Sequence, residues 1–373
     1  MPAQKRIIEY DIAKGIGILL VIIGHEFIEG QVFSFIYSFH MALFFLLSGL
    51  VAKISCDRRI IIVSATEKNF ENEKSILSDK LVSWYITWSI IYLMFDIFIN
   101  WLWLGELNAK GIAWNVYRMI SLYGNGVLWF LPALLFAKRI GIRLSKKLKN
   151  YAALLLSLLC LGIGIMWIPM IDKLNSDGII KILYYPLAMT LRVAIMVPFF
   201  MFGLCMKDNI VKLIKSVKWW KLFILGSLLI AFTWVMASNI NNPVDVHTLK
   251  IGNPIVFLTL GITGSYGIIF ISAGIKHLSV IGKGLSCLGA NSLLIMVTHE
   301  NLKIKTLIIS CLRYLGVNQL NQTIFSLLTV AILILIEIII CILFGEKINR
   351  IINKVRDILM RYSNIDMNLG SEH

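Results

Sequence analysis

Ten times along this chain the sequence runs apolar for long enough to cross a bilayer, and no other feature restricts its possible folds so strongly. A spanning helix needs about 17–25 predominantly apolar residues to traverse a hydrocarbon core of about 30 Å. The segments read as 11–30, 33–53, 82–104, 126–143, 151–171, 180–206, 220–238, 252–274, 287–312 and 323–345. Of the 373 residues 58% are hydrophobic and 15% charged, and the mean hydropathy of +0.79 lies outside the soluble globular range. The expected fold class is an all-α polytopic membrane protein of about ten transmembrane helices.

The basic residues then orient it, because Lys and Arg accumulate in cytoplasmic connections. With the N-terminus cytoplasmic and residues at span ends counted with the adjoining loop, 26 of the 36 Lys and Arg fall inside, 6 outside and 4 within spans. The inside total is dominated by 138–149, 207–221 and 347–361. Both termini are expected to be cytoplasmic. The net charge of +15 thus reads as topology and contact with anionic lipid headgroups, and nucleic acid is not an expected partner. Residues 1–345 read as the membrane domain and 346–373 as a cytoplasmic basic amphipathic tail, with Ile348, Ile351, Ile352, Val355, Ile358 and Leu359 on one side. The stretch 53–80, with six basic and five acidic residues, reads as a polar loop.

Six scattered cysteines show no CxxC and no His/Cys ligand spacing, so no metal site is expected. The first apolar run carries Asp11 and Lys14 and lacks a clear cleavage site, so it reads as an uncleaved insertion signal. Trp84, Trp88, Trp101, Trp103, Trp219 and Trp220 near span ends fit an interfacial aromatic belt.

Titratable groups within the spans are the informative exceptions, since an ionisable side chain in lipid is costly and normally faces a protein interior or wet cavity. In the first span Lys14 and His25 are eleven residues apart, which returns them to nearly the same helix face about 16 Å apart, with Asp11 close to that line. Rise per residue places His25, His40 and His299 at comparable depths in the middle to outer half of the membrane, and Glu26 and Glu300 each follow a histidine. An imidazole titrates near neutrality and can act as a general base, while a carboxylate fixes its tautomer. Glu26, Glu300 and Asp11 are all open as that carboxylate. A single intramembrane histidine can equally be a structural hydrogen-bonding group, and Lys14 can equally snorkel to the headgroups or meet a phosphate. Arg192, mid-span, requires a partner, with Asp11, Asp96 or a ligand phosphate as candidates.

The pattern Lys14-x10-His25, the run Phe39-His40 followed by Phe44-Phe45-x2-Ser48-Gly49, then Trp129-Phe130-Leu131-Pro132, Arg192 with Pro198-Phe199-Phe200-x2-Gly203, and Leu288-Gly289-x-Asn291-Ser292-Leu293 ending at His299 resemble the acyltransferase 3 family of bacterial integral membrane acyltransferases. The later motifs look like its sugar O-acetylase branch, related to fucose 4-O-acetylase. The resemblance covers nearly the whole chain. It implies an O-acyltransferase, most simply an O-acetyltransferase, of the bacterial cytoplasmic (inner) membrane. Acyl-CoA, by default acetyl-CoA, would be the donor, and a cell-surface glycan or lipid-linked saccharide the acceptor. Catalytic positions implied are His25, as base or acyl carrier, with Glu26, His40, His299 and Glu300. Asp11, Lys14, Arg192, Ser48, Trp129, Asn291 and Ser292 are the implied donor-binding contacts. Nothing after Phe344 is long enough for the hydrolase-like domain that some relatives append, so no acyl relay through such a domain is expected. The competing reading of the same buried charges is a transporter or flippase of a lipid-linked saccharide or small metabolite.

Overall fold

The computed structural model describes residues 7–27, 30–63, 79–104, 108–175, 180–239, 244–300 and 302–369. Among these, every regular element is a helix, and the one pairing of extended backbone is an isolated antiparallel bridge between Asp245 and Lys250. That follows from the sequence, because in hydrocarbon each backbone group must be satisfied within its own segment and a helix does so. In chain order the helices are α1 (Ile8–Glu26), α2 (Gly30–Val63), α3 (Lys80–Leu104), α4 (Ala109–Ile120), α5 (Phe130–Lys147), α6 (Asn150–Asp172), α7 (Lys181–Ser216), α8 (Trp219–Asn239), α9 (Pro254–Ile275), α10 (Ser279–Ala290), α11 (Ser292–Thr298), α12 (Ile304–Tyr314) and α13 (Gln322–Leu369).

Seven of them, α2, α3, α6, α7, α8, α9 and α13, are long and apolar enough to cross a membrane, and α10 with α11 makes an eighth if that bent pair is one crossing. Two further segments drawn as spans from the sequence are helical but more highly charged. Helix α1 carries Glu9, Asp11 and Lys14, and α5 carries Lys138, Arg139, Arg143, Lys146 and Lys147. Both put most of their apolar length against other helices rather than outward.

Four expectations need correction. The segment 287–312 is not one helix: α10 and α11 meet at Asn291 with a 63° bend, and the chain turns again through Lys303, at φ +54°, before α12. Its cause is local, since Asn291 leaves helical geometry and its side chain donates to the Cys287 carbonyl. The stretch 53–80 is not all loop, because α2 runs on to Val63; residues 64–78 lie outside those described. The segment 126–143 opens with a 3-10 turn over Gly126–Trp129 and becomes α5 only at Phe130; before it come the separate helix α4 and a turn with Leu122, Gly124 and Gly126 at positive φ. Finally, Trp84 and Trp88 are core residues rather than belt residues, whereas Trp101, Trp219 and Trp220 are exposed. The tail beyond residue 345 continues α13 without a break to Leu369.

Membrane helices have little hydrophobic drive to associate and rely on close packing, for which small residues at the contact are needed. Two helix pairs use glycine reciprocally. In α1 and α10, Gly15 lies against the Leu285 carbonyl and Gly289 against the Asp11 carbonyl. In α2 and α7, Gly49 lies against the Phe200 carbonyl and Gly203 against the Leu46 carbonyl. A methyl group at any of the four would overlap backbone, which cannot yield as a side chain can. Gly289→Val and Gly203→Val should therefore abolish the monodisperse, thermally cooperative species in detergent. Gly162→Val, where an added Cβ meets nothing within 4 Å, should leave the thermal midpoint within a few degrees.

Candidate functional site

A cavity of about 240 Å³ opens where the C-terminal end of α1 meets α2, the turn before α5, the Asp245–Lys250 turn and the end of α11. His25 closes it on one side, Tyr37 and His40 on a second, Trp129 and Phe130 on a third, and Asp245, His247 and Glu300 complete it. The two glycine-mediated helix pairs set this geometry. They hold α1 against α10 and α2 against α7, so that residues far apart in sequence arrive at one depth.

Two of the imidazoles have their tautomers fixed by their own helices. The His40 Nδ1–H donates to the Ile36 carbonyl (2.8 Å) and the His299 Nδ1–H to the Ile295 carbonyl (2.9 Å), so each offers Nε2 as an acceptor. His299 is buried behind the cavity wall, and its Nε2 has no hydrogen-bond partner among the described residues. The His299 ring lies 5.1 Å from that of His25 between centroids, and Tyr37 stands between His25 (6.4 Å) and His40 (4.8 Å). The carboxylate facing His25 is Glu300, whose Oε2 is 3.8 Å from Nδ1. A proton on Nδ1 directed at Glu300 leaves Nε2 as the basic nitrogen.

One nitrogen from each of His25 and His299 and one oxygen of Glu300 lie within 4.8 Å of one another. Two imidazoles and a carboxylate form a donor set suited to a divalent transition metal, and equally a base with its orienting carboxylate.

Glu26, the other carboxylate beside a histidine, points elsewhere. Its Oε2 pairs with Lys305 Nζ of α12 (2.9 Å), and the same ammonium donates to the His25 carbonyl (2.9 Å). Lys305 thus satisfies the open carbonyl end of α1 and fixes the backbone that carries His25. Helix α11 is fixed from its far side, where Thr298 Oγ1 donates to Glu337 Oε2 of α13 (2.6 Å) and the Tyr92 hydroxyl to the Val297 carbonyl.

Arg192 is wholly buried, and its partners are neither Asp11 nor Asp96. Its Nε–H and one terminal nitrogen both donate to the His247 carbonyl, the other terminal nitrogen donates to the Tyr123 carbonyl (3.2 Å), and the guanidinium lies over the rings of Tyr123 (4.1 Å) and Trp129 (5.3 Å). Asp96 instead accepts from Asn115 (2.8 Å). An arginine shielded by two aromatic faces and satisfied by carbonyls escapes the need for a carboxylate partner.

The structure therefore gathers His25, His40, Trp129 and Glu300 around the cavity with His299 behind, and separates the remaining expected positions from it. Lys14 pairs with Asp11 (3.2 Å) nearer the other end of α1, about 16 Å from His25 along the axis. Ser48 is two turns beyond His40 on α2, and Asn291 and Ser292 form the break between α10 and α11. Asp245, His247 and Tyr37 are cavity residues that the sequence reading missed. The first two lie in a short connection assigned as an outer loop, where Asp245-x-His247 in so brief a link was the available signal.

His247 is neutral at pH 7: burial pushes its imidazole down to about 4, and the adjacent Arg192 cation adds to that. For the clamp on α1, removing either partner of the Glu26–Lys305 pair should cost about 1–2 kcal/mol, seen as a lower thermal midpoint in detergent. Because the two act as a unit, Glu26→Gln combined with Lys305→Met should cost little more than either alone, and full additivity would show that they are independent.

The family model described as Acyltransferase domain, for acyltransferase 3, matches residues 7–346. No curated protein and no solved structure matches the chain. The match encloses every helix that builds the cavity and extends from the start of α1 into α13. This chain accordingly belongs to the acyltransferase 3 family and is a multi-pass membrane acyltransferase.

Proposed function

We propose that the protein is an O-acyltransferase, most simply an O-acetyltransferase, that carries an acyl group from cytoplasmic acyl-CoA to a hydroxyl of a cell-surface glycan or lipid-linked saccharide precursor. The observation that supports this most directly is the cavity itself, in which His25 faces Glu300 with a nitrogen free to act as base. In the reaction His25 Nε2 takes the proton of the acceptor hydroxyl as its oxygen attacks the thioester carbonyl. The carbon–sulfur bond then breaks, and the imidazolium returns its proton to the departing CoA thiolate. Glu300 stabilises the imidazolium, and His40 and His299 supply uncharged acceptors around it.

Donor binding is assigned to the opposite end of α1. Lys14, positioned by Asp11, would meet the CoA phosphates, and the separation of about 16 Å from Lys14 to His25 suits the extended arm that carries the thioester. Trp129 forms part of the cavity wall, whereas Ser48, Asn291 and Ser292 lie outside its lining and would meet the donor only along its length. Arg192 contributes through the turn that it holds rather than through phosphate. The family match disfavours the transporter reading.

Two substitutions and one condition test the chemistry. With labelled acetyl-CoA and a membrane glycolipid extract, His25→Ala should lose at least about a thousandfold in transfer rate while keeping its thermal midpoint. Glu300→Gln should lose about ten- to a hundredfold, and normal transfer by His25→Ala would remove it from the mechanism. Activity should survive prolonged treatment with a chelator, because the base reading needs no metal. Loss restored by zinc or another divalent ion would reassign His25, His299 and Glu300 as ligands.

The proposed location is the bacterial cytoplasmic membrane, with α1 and α5 as additional crossings shielded by their neighbours, about ten in all, and both termini cytoplasmic. A single cysteine introduced between residues 146 and 149 should react with an impermeant thiol reagent only after the cytoplasmic side is opened.

A further inference from the structure

The turn that Arg192 holds has no part in the base chemistry above, yet it forms a whole wall of the cavity. Residues Asp245 to Lys250 close on themselves through the antiparallel bridge, with Leu249 at φ +61°. Asp245 Oδ1 accepts from the His247 backbone N–H (2.9 Å) and Oδ2 from the Thr248 hydroxyl (2.8 Å), so its carboxylate is held in one orientation. A carboxylate has about four acceptor positions, and these two bonds leave about two for a ligand. The His247 ring is stacked on Trp129 at 5.9 Å with 9° between planes, which fixes the imidazole edge toward the cavity rim. Being neutral, that ring has both a donor and an acceptor nitrogen.

We propose that this turn is the acceptor-recognition element of the site, with Asp245 and His247 hydrogen-bonding hydroxyl groups that flank the one being acylated on an uncharged polyol ring. The inference rests on the acyltransfer reading and deepens it. Three features argue for a ring of this kind. A cavity of about 240 Å³ is smaller than the roughly 300–1,000 Å³ typical of drug-sized ligands, so it suits one ring and not a chain of them. Its polar groups pair acceptors, Asp245 and Glu300, with imidazole rings that can donate and accept, which complements hydroxyl groups. Two acidic side chains in so small a cavity disfavour an anionic ring. Pre-setting the carboxylate by internal hydrogen bonds lowers the ordering cost of binding, as expected of a recognition group and not of a passive loop.

The test compares Michaelis parameters of the full-length protein in detergent, using acetyl-CoA and a membrane glycolipid extract as the varied substrates. Asp245→Asn and His247→Gln should each raise the half-saturating extract concentration about tenfold while leaving the KM for acetyl-CoA within about twofold. Thr248→Val, at an exposed position, should give a smaller rise in the same direction by loosening Asp245, and serves if Asp245→Asn fails to fold. An unchanged half-saturating extract concentration, or equal rises for both substrates, would overturn the assignment while leaving the acyltransfer reading intact. If the wild-type protein acylates nothing in the extract, the glycan acceptor itself is wrong and this inference fails with it.

Discussion

The arrangement depends on four glycines whose missing side chains let helices touch backbone to backbone. Gly15 and Gly289 join α1 to α10, and Gly49 and Gly203 join α2 to α7. Separating either pair by the width of a methyl group would move His25 or His40 by a distance comparable to the contacts that define the cavity. Catalytic geometry tolerates displacements of only about 0.5 Å. The packing of these helices is consequently inseparable from the chemistry, although none of the glycines lies at the site.

Around that frame several polar groups of the interior brace the segments that form the cavity. Lys305 and Glu26 secure the end of α1, Glu337 and Tyr92 secure α11, and Arg192 secures the turn that carries Asp245 and His247. Left without partners, buried groups of this kind would each cost several kcal/mol in an apolar interior. Paired in this way they brace the segments that supply the histidines, and His25 keeps a cavity-facing edge.

Much of this could be read from the chain. Helical periodicity placed Lys14 and His25 on one face, and rise per residue brought His25, His40 and His299 to a common depth, because those relations are local to single helices. The motif glycines at 49, 203 and 289 were visible, but which carbonyls they meet depends on helix pairing, which one sequence does not encode locally. The break at Asn291 escaped notice because an apolar run looks continuous whether or not its backbone is. Arg192 was seen to need a partner, but a backbone carbonyl has no residue-type signature, so the candidates were acidic side chains and a ligand phosphate. Asp245 and His247 were passed over because a short polar link between spans ordinarily reads as solvent-facing.

Helices α1 and α11 both end at the cavity, and both end there with their C-termini. Aligned peptide dipoles give such an end a partial negative charge, worth about 0.3–1 kcal/mol to a nearby cation. At the end of α1 that charge is met by the Lys305 ammonium, which donates to the His25 carbonyl and so offsets the dipole where the imidazole sits. The positive end of the same dipole lies on the side of Lys14 and is met by Glu9 and Asp11 in the first turn. A single helix thus sorts charge along its length, carboxylates at its beginning and an ammonium at its end, each set against the dipole.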